Sequence, residues 1–300
     1  MFAPVAQWIE QDGSNVKVRG SNPLGGASMK YRKIQSINIP IIGLGTSGIG
    51  GGWMFKDTSD DREAIEAIQY AIGLGMTHID TAEAYANGHA EELVGAAIKD
   101  FDRAKLFVTT KVHPSHLDKN DLSKACQNSL QRLNTDYVDL YLIHWPNADM
   151  PIPKTMPVMD ELVKKGLTRF IGVSNFDVDL LKQAQQYSEN KIFTNQVEYS
   201  LLERAPEQQL LPYCQTQDMI LTAYSPLGKG QLKFRINPLL DQLAQKYDKT
   251  PAQIALNYLI SHDNVIVIPK AVRKEHLMEN ATAADFNLAL ADIELIKQAF

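Results

Sequence analysis

The sequence predicts an α/β chain folded as one (β/α)8 TIM barrel with a short N-terminal β-hairpin, over residues 29–300. Three observations predict it. Short apolar runs alternate with helical stretches, the pattern of parallel strands joined by right-handed crossovers. Eight such runs are present, the number that closes a barrel. Polar residues stand at or just past the ends of these runs: Asp80, Lys111, His144, Asn175, Gln196, Tyr224 and Lys270. Polar groups at that end of barrel strands face an active site.

Each element follows from local pattern. Tyr31–Ile34 and Ile39–Ile42 read as a hairpin around Gln35-Ser36-Ile37-Asn38. Ile41–Gly45 reads as strand 1, and Asp61–Gly73 as a helix with Ile65, Ile68 and Ile72 on one face. Strand 2 ends at Asp80 and is followed by a helix over Ala90–Ile98. Strand 3 ends at Lys111, and the next helix, about Lys119–Leu133, turns Leu122, Ala125, Leu130 and Leu133 inward. Strand 4 ends at His144, and its helix includes Met159–Lys165. Strand 5, Arg169–Val173, leads into Ser174-Asn175 and a helix over Val178–Tyr187. Strand 6 is short and ends at Gln196, before a helix over Glu207–Gln215. Strand 7, Met219–Ala223, ends at Tyr224. Helices Pro238–Tyr247 and Pro251–Ile260 each open on proline, whose fixed φ suits a helix start. Strand 8 is Val265–Ile268, and the last helix is Leu288–Phe300. The alternative is a doubly wound sheet, which requires a helix straight after strand 1; none is there.

Composition narrows the function classes. The chain has 300 residues, 44% of them hydrophobic, and a formal net charge of −5 with no block of like charges. A basic nucleic-acid face and a polybasic membrane patch are therefore not expected. No apolar run approaches the ~20 residues that span a bilayer, and no secretory h-region follows a charged start. Cys126 and Cys214 lack metal-ligand spacing and read as reduced, buried thiols of a cytoplasmic protein.

Two motifs point elsewhere. Gly43-Leu44-Gly45-Thr46-Ser47-Gly48 matches a dinucleotide-binding fingerprint, but its third glycine must open a helix. Gly48-Ile49-Gly50-Gly51-Gly52-Trp53 cannot hold one, so the segment reads as a flexible loop over the barrel mouth. Tyr187 and Lys191 have the spacing of a short-chain dehydrogenase pair, yet Tyr187 ends a helix among polar residues, and chance explains the match. His78 reads as structural rather than as a metal ligand; no metal is expected.

A Tyr, a Lys, an Asp and a His gathered at strand ends can protonate a carbonyl oxygen, and Tyr85, Lys111, Asp80 and His144 are that set. Their flanks resemble the aldo-keto reductase family from about Met29 to Phe300. Gly75-Met76-Thr77-His78-Ile79-Asp80-Thr81-Ala82-Glu83-Ala84-Tyr85 resembles the signature that holds its Asp and Tyr. Val108-Thr109-Thr110-Lys111 resembles the segment with its Lys, and Leu140-Tyr141-Leu142-Ile143-His144-Trp145-Pro146 the one with its His. Gly172-Val173-Ser174-Asn175-Phe176 and Ile268-Pro269-Lys270 are further signatures.

The resemblance implies NADPH-dependent reduction of an aldehyde, ketone or sugar, with Tyr85 as general acid. A Lys111 ammonium ~4 Å from the phenol contributes ~4 kcal/mol at an effective dielectric of ~20. That would pull the Tyr85 pKa down by roughly three units. Asp80 keeps Lys111 charged, and His144 orients the carbonyl oxygen. The resemblance also implies that Ser174, Asn175 and Gln196 bond the nicotinamide carboxamide and that Tyr224 stacks on the ring. Ser225, Leu227 and Gly228 would line the pyrophosphate, Lys270 would pair with the 2′-phosphate, and Glu279 and Asn280 would bond the adenine. Thr46, Ile268 and His276 complete the expected cofactor set. Trp53, Phe55, His144 and Trp145 are the expected substrate wall.

Many members carry Ser just after the Lys and Arg six residues after it, where this chain has Ala271 and His276. Both changes remove phosphate contacts, although Arg273 and Lys274 stand nearby; NADPH is expected, with NADH possible. The long C-terminal loop that covers the substrate in many animal members has no counterpart here, so an open pocket is expected. A cofactor-binding, channel-subunit-like relative with little turnover is the alternative function, and a metal-dependent barrel hydrolase the third class.

Residues 1–28 show neither helical nor strand periodicity. Codons available to Val5-Ala6-Gln7-Trp8-Ile9-Glu10 can spell a tRNA D-arm, and those for Gly20-Ser21-Asn22-Pro23 a T-arm. Ala3 to Ala27 spans 25 codons, about one tRNA. The segment is expected to be read-through from a tRNA gene, disordered or loosely attached, with translation starting at Met29. The alternative is a genuine extension over the barrel bottom.

Overall fold

In the computed structural model, which describes residues 29–233 and 238–300, an antiparallel hairpin opens the chain, Tyr31–Ile34 paired with Ile37–Pro40. Residues 1–28, and the extension expected there, lie outside the described residues. The hairpin's second strand starts two residues earlier than expected. Gln35 adopts φ 49°, which lets Ile34 pair directly with Ile37 across Gln35-Ser36, and no Asn-Gly pair announces that turn.

Eight parallel strands follow in sequential order. They are β1 (Leu44–Gly45), β2 (His78–Asp80), β3 (Phe107–Val112), β4 (Val138–Ile143), β5 (Thr168–Ser174), β6 (Ile192–Glu198), β7 (Ile220–Tyr224) and β8 (Val265–Val267). Backbone bonds close the ring ahead of β1, where Gly43 N–H donates to Val267 O at 2.8 Å and Val267 N–H donates to Ile41 O at 3.0 Å. The barrel is thus complete. Strand β6 runs seven residues, longer than expected, because its polar Thr194-Asn195-Gln196 interior is paired on both sides.

The helices are α1 (Asp61–Gly73), α2 (His89–Ile98), α3 (Lys119–Leu133), α4 (Ile152–Lys164), α5 (Val178–Gln186), α6 (Leu210–Thr216), α7 (Pro238–Tyr247), α8 (Pro251–Ile260), α9 (Lys274–Ala281) and α10 (Leu290–Ala299). Their apolar stripes pack on the outside of the sheet, with Ile68 and Ile72 of α1 and Leu122, Leu130 and Leu133 of α3 all buried there. Caps set several starts: Asp118 accepts from Asn120 and Asp121 N–H groups at α3, and Thr250 with Gln253 forms a capping box at α8. Helix α6 begins later than expected, after a 3-10 turn over Ala205–Glu207 that contains Pro206. Helix α9 was not anticipated; only Leu277, Asn280 and Ala281 are buried in it and Arg273 gives no side-chain cap.

The barrel interior is layered. Ile34 and Ile39 of the hairpin plug the bottom with Phe107, Leu140, Leu142, Phe193, Ile220 and Ile266. Higher up, His78 Nε2 meets Thr109 Oγ1 at 3.0 Å, and the Thr194 and Thr222 hydroxyls meet at 2.8 Å. Because side chains two apart share a face, Phe107, Thr109 and Lys111 climb one strand, and Ile220, Thr222 and Tyr224 another. That period carries the polar strand ends to the upper mouth.

The glycine segment is not an irregular loop. Gly51–Gly52 pairs antiparallel with Phe55–Lys56, and Asp57 N–H donates to Gly50 O at 2.7 Å. A Cβ at Gly51 would lie 2.0 Å from Phe55 O, and its φ is 133°, so only glycine fits this turn. The ribbon is held down by Lys56 on Glu92 at 3.1 Å and by Met54 N–H on Ala84 O at 3.0 Å. Trp53 is thereby bridged to Tyr85. Among the described residues, no helix is long and apolar enough to cross a membrane.

Candidate active site

The strand ends surround a cavity of about 1070 Å³. At its floor lies a buried ion pair. Lys111 Nζ is 2.5 Å from Asp80 Oδ1, donates to Thr81 O at 2.8 Å and reaches the Tyr85 hydroxyl at 3.3 Å. Lys111 is fully buried and does not line the cavity; Asp80 and Tyr85 do. Burial works against the Lys111 ammonium, but Asp80 and Tyr85 outweigh it and hold its pKa above the ordinary value.

Tyr85 departs from the sequence expectation. Burial raises its pKa most, Lys111 lowers it and Asp80 raises it again, and the net direction is up from 10.0. Lys111 alone would have pulled it down; desolvation of the phenolate and the neighbouring carboxylate reverse the sign. The phenol therefore carries its proton throughout the neutral range.

His144 faces Tyr85 with ring centroids 5.5 Å apart, and Trp53 lies 5.1 Å from the imidazole. Burial, with Lys111 and His113 adding like charge, drives the His144 pKa down to about 2, so the ring is neutral. Its Nδ1 is sealed from solvent with no partner, while His144 lines the cavity. A proton on Nδ1 would be an unsatisfied buried donor, so the favoured tautomer carries it on Nε2.

Along the cavity, Ser174, Gln196, Tyr224, Ser225, Leu227 and Ile268 lead to Lys270, His276, Glu279 and Asn280, and Trp53 and Trp145 stand near its mouth. Tyr224 is fixed by its hydroxyl, which donates to Asn175 Oδ1 at 2.9 Å. Asn175, at φ 63°, spends its amide nitrogen on His144 O at 3.1 Å and Ser174 Oγ at 3.0 Å. It therefore stands behind the wall.

Three other expected residues fall outside the lining. The Thr46 hydroxyl is consumed by Asp80 O at 3.0 Å. Gly228 turns away under Leu202, where a Cβ would come within 2.9 Å of Leu202 Cδ1. Phe55 lies on the outer strand of the ribbon and borders a smaller, separate pocket with Asp57, Asp60 and Glu63. The sequence reading missed Ser47, Lys229, Leu240 and Asp241, all of which line the main cavity. Lys229 is held on Glu198 at 2.8 Å. Ser47 lies inside the glycine-rich motif of residues 43–48, and Lys229 sits among the glycines and prolines around residues 225–238, whereas Leu240 and Asp241 carry no signal beyond their place in α7. At the far end, His276 is bonded to Arg273 through Nε2 and to Glu279 at 3.1 Å through Nδ1, so the acidic and basic groups there form one cluster. Among the described residues, no group of three His, Cys, Asp or Glu side chains is arranged to hold a metal ion.

Comparisons with known proteins agree with this architecture. The Aldo/keto reductase family profile matches residues 41–300. Methylglyoxal reductase YeaE of Escherichia coli is 37% identical, over 91% of this chain and 96% of that protein. Glyoxal reductase of Bacillus subtilis is 38% identical, over 87% of this chain and 88% of that protein. Among solved structures, a thermostable aldo-keto reductase, Tm1743, in complex with the inhibitor epalrestat superposes with a TM-score of 0.88 at 45% identity, covering 91% of this chain and 100% of that one. An aldo/keto reductase of Klebsiella pneumoniae in complex with NADP and acetate gives 0.83 at 36% identity, over 90% and 95% of the two chains. With the barrel, the strand-end site and these matches in hand, the chain belongs to the aldo/keto reductase family and is an oxidoreductase.

Proposed function

We propose that this protein reduces small aldehydes, with dicarbonyl aldehydes foremost, to alcohols using NADPH. The observation that carries the reading is the Tyr85 hydroxyl, 3.3 Å from a buried Lys111 ammonium and open to a cavity that also holds the His144 ring. The glyoxal and methylglyoxal reductases at 37–38% identity support the substrate class.

The residues fit the cofactor. The Tyr224 ring is pinned at the cavity wall by Asn175, a platform for a flat aromatic ring. Ser174 and Gln196 offer polar atoms beside it, and Lys270, Arg273 and His276 gather basic groups at the other end, where a phosphate is recognised. When bound, the reduced nicotinamide supplies hydride to the carbonyl carbon.

The chain's own groups do the rest. His144, neutral and with Nε2 toward the cavity, donates a hydrogen bond to the carbonyl oxygen and fixes its direction. Tyr85 transfers its hydroxyl proton to that oxygen as negative charge builds there. Lys111 stabilises the phenolate left behind, and Asp80 keeps Lys111 charged and aimed. Trp53 and Trp145 give the aldehyde an apolar wall. Loss of the NADPH absorbance band with methylglyoxal, glyoxal and simple aldehydes tests the proposal. Turnover without added metal supports it, whereas NADPH binding with no turnover on any aldehyde favours the cofactor-binding, non-catalytic alternative.

A further inference from the structure

Asp80 divides its two carboxylate oxygens between two partners. Oδ1 takes Lys111, and Oδ2 accepts the side-chain amide N–H of Gln196 at 2.7 Å, across the barrel from β6 and 116 residues away in sequence. Both Asp80 and Gln196 are buried, so this is a charge-assisted bond screened from water. Gln196 also lines the cavity. One of its two N–H groups is committed to Asp80, which leaves the amide oxygen and the second N–H for other partners.

We propose that Gln196 is a positioning residue for the proton-donating group, acting through Asp80 in addition to any contact with the cofactor; this deepens the reductase reading above and rests on it. The amide bond holds the Asp80 carboxylate in the orientation that presents Oδ1 to Lys111, and Lys111 in turn holds Tyr85. Without that donor, Oδ2 is a buried anionic oxygen with no partner, and Asp80 turns or draws on Lys111 with both oxygens. In either case the ammonium serves Tyr85 less well, although no group touching the substrate has changed.

Two substitutions test this. Gln196→Met keeps length and removes the donor, so kcat at saturating cofactor should fall about tenfold or more, the scale of a lost charged hydrogen bond. The aldehyde KM should stay within about twofold. Gln196→Glu keeps a side-chain oxygen and sets a carboxyl against Asp80. Protonated, that carboxyl donates to Oδ2 and restores the bond; ionised, it repels it. The charged and titratable groups facing it are Asp80 on β2, Lys111 on β3, Tyr85, His144, Tyr224 on β7 and, two residues on, Glu198 held by Lys229. The ratio of Gln196→Glu to parent kcat should fall about tenfold from pH 6 to pH 9, while the Gln196→Met ratio stays low throughout. In the cofactor-free protein, the melting temperature of Gln196→Glu should drop relative to the parent over the same range.

If both ratios are independent of pH and the losses vanish at saturating NADPH, Gln196 serves the cofactor alone and the proposal fails. If the parent reduces no aldehyde, the reductase reading fails instead. The cofactor-free melting series still reports on the Gln196–Asp80 bond, and a melting difference that is flat with pH rejects it.

Discussion

Lys111 and Asp80 form a salt bridge of 2.5 Å inside the barrel, with the lysine fully buried and the aspartate almost so. Removing one partner strands the other charge. Lys111→Met should lower stability by about 3 kcal/mol, measured by urea unfolding, because an uncompensated buried carboxylate remains. It should also lower kcat by about 10² or more. A variant that unfolds at the parent's urea midpoint would show that water reaches the pair.

Tyr85→Phe retains the ring and its contacts with Trp53 and His144 but removes the acid. Turnover should fall by about 10² or more while NADPH affinity stays nearly constant. Aldehyde reduction close to the parent rate would remove Tyr85 from the role.

Lys270 lines the far end of the cavity with an exposed side chain. A charge-assisted contact to a phosphate is worth about 1.5–3 kcal/mol. Lys270→Ala should weaken NADPH binding roughly ten- to a hundredfold and leave NADH almost unchanged. Equal losses for the two cofactors would exclude a role in reading the 2′-phosphate.

Two buried histidines make stability fall on acidification. Burial lowers the pKa of His78 to about 4 and of His144 to about 2, both from 6.5. Below about pH 6.5 the unfolded chain takes up protons that the folded chain refuses. The stabilisation is full above that pH and is lost as pH falls, from both residues down to about 4 and from His144 alone below it. Each contributes a slope of roughly 1 kcal/mol per pH unit. Urea unfolding between pH 7 and pH 4 should show a steeper fall in the parent than in His78→Asn, and parallel curves would exclude the His78 contribution.

Deleting residues 1–28 should leave melting temperature and aldehyde turnover within experimental error of the full chain. Native protein whose N-terminal peptides begin before Met29, or a shortened chain that melts several degrees lower, would show that the segment is a real part of the protein.

Much of the architecture was legible in the order of residues. Apolar periods mark α1 and α3, and opening prolines mark α7 and α8, at the bounds the structure shows, because these signals need only near neighbours in the chain. Asp80, Tyr85 and His144, read as a set with Lys111, border the cavity, and Lys111 lies behind it. What sequence did not reveal depends on partners far away in the chain. The Asp80 bond to Gln196, the consumption of the Asn175 amide by Tyr224 and His144, and the bridge from the glycine ribbon to Tyr85 arise only when the barrel closes. The direction of the Tyr85 pKa belongs to the same class. A lysine beside a tyrosine is visible in the sequence, but the desolvation that overrides it is set by everything packed around the ring. Local pattern determined the elements and which polar side chains stand at the strand ends; tertiary burial decided which of their atoms are already bonded and how strongly each group holds its proton.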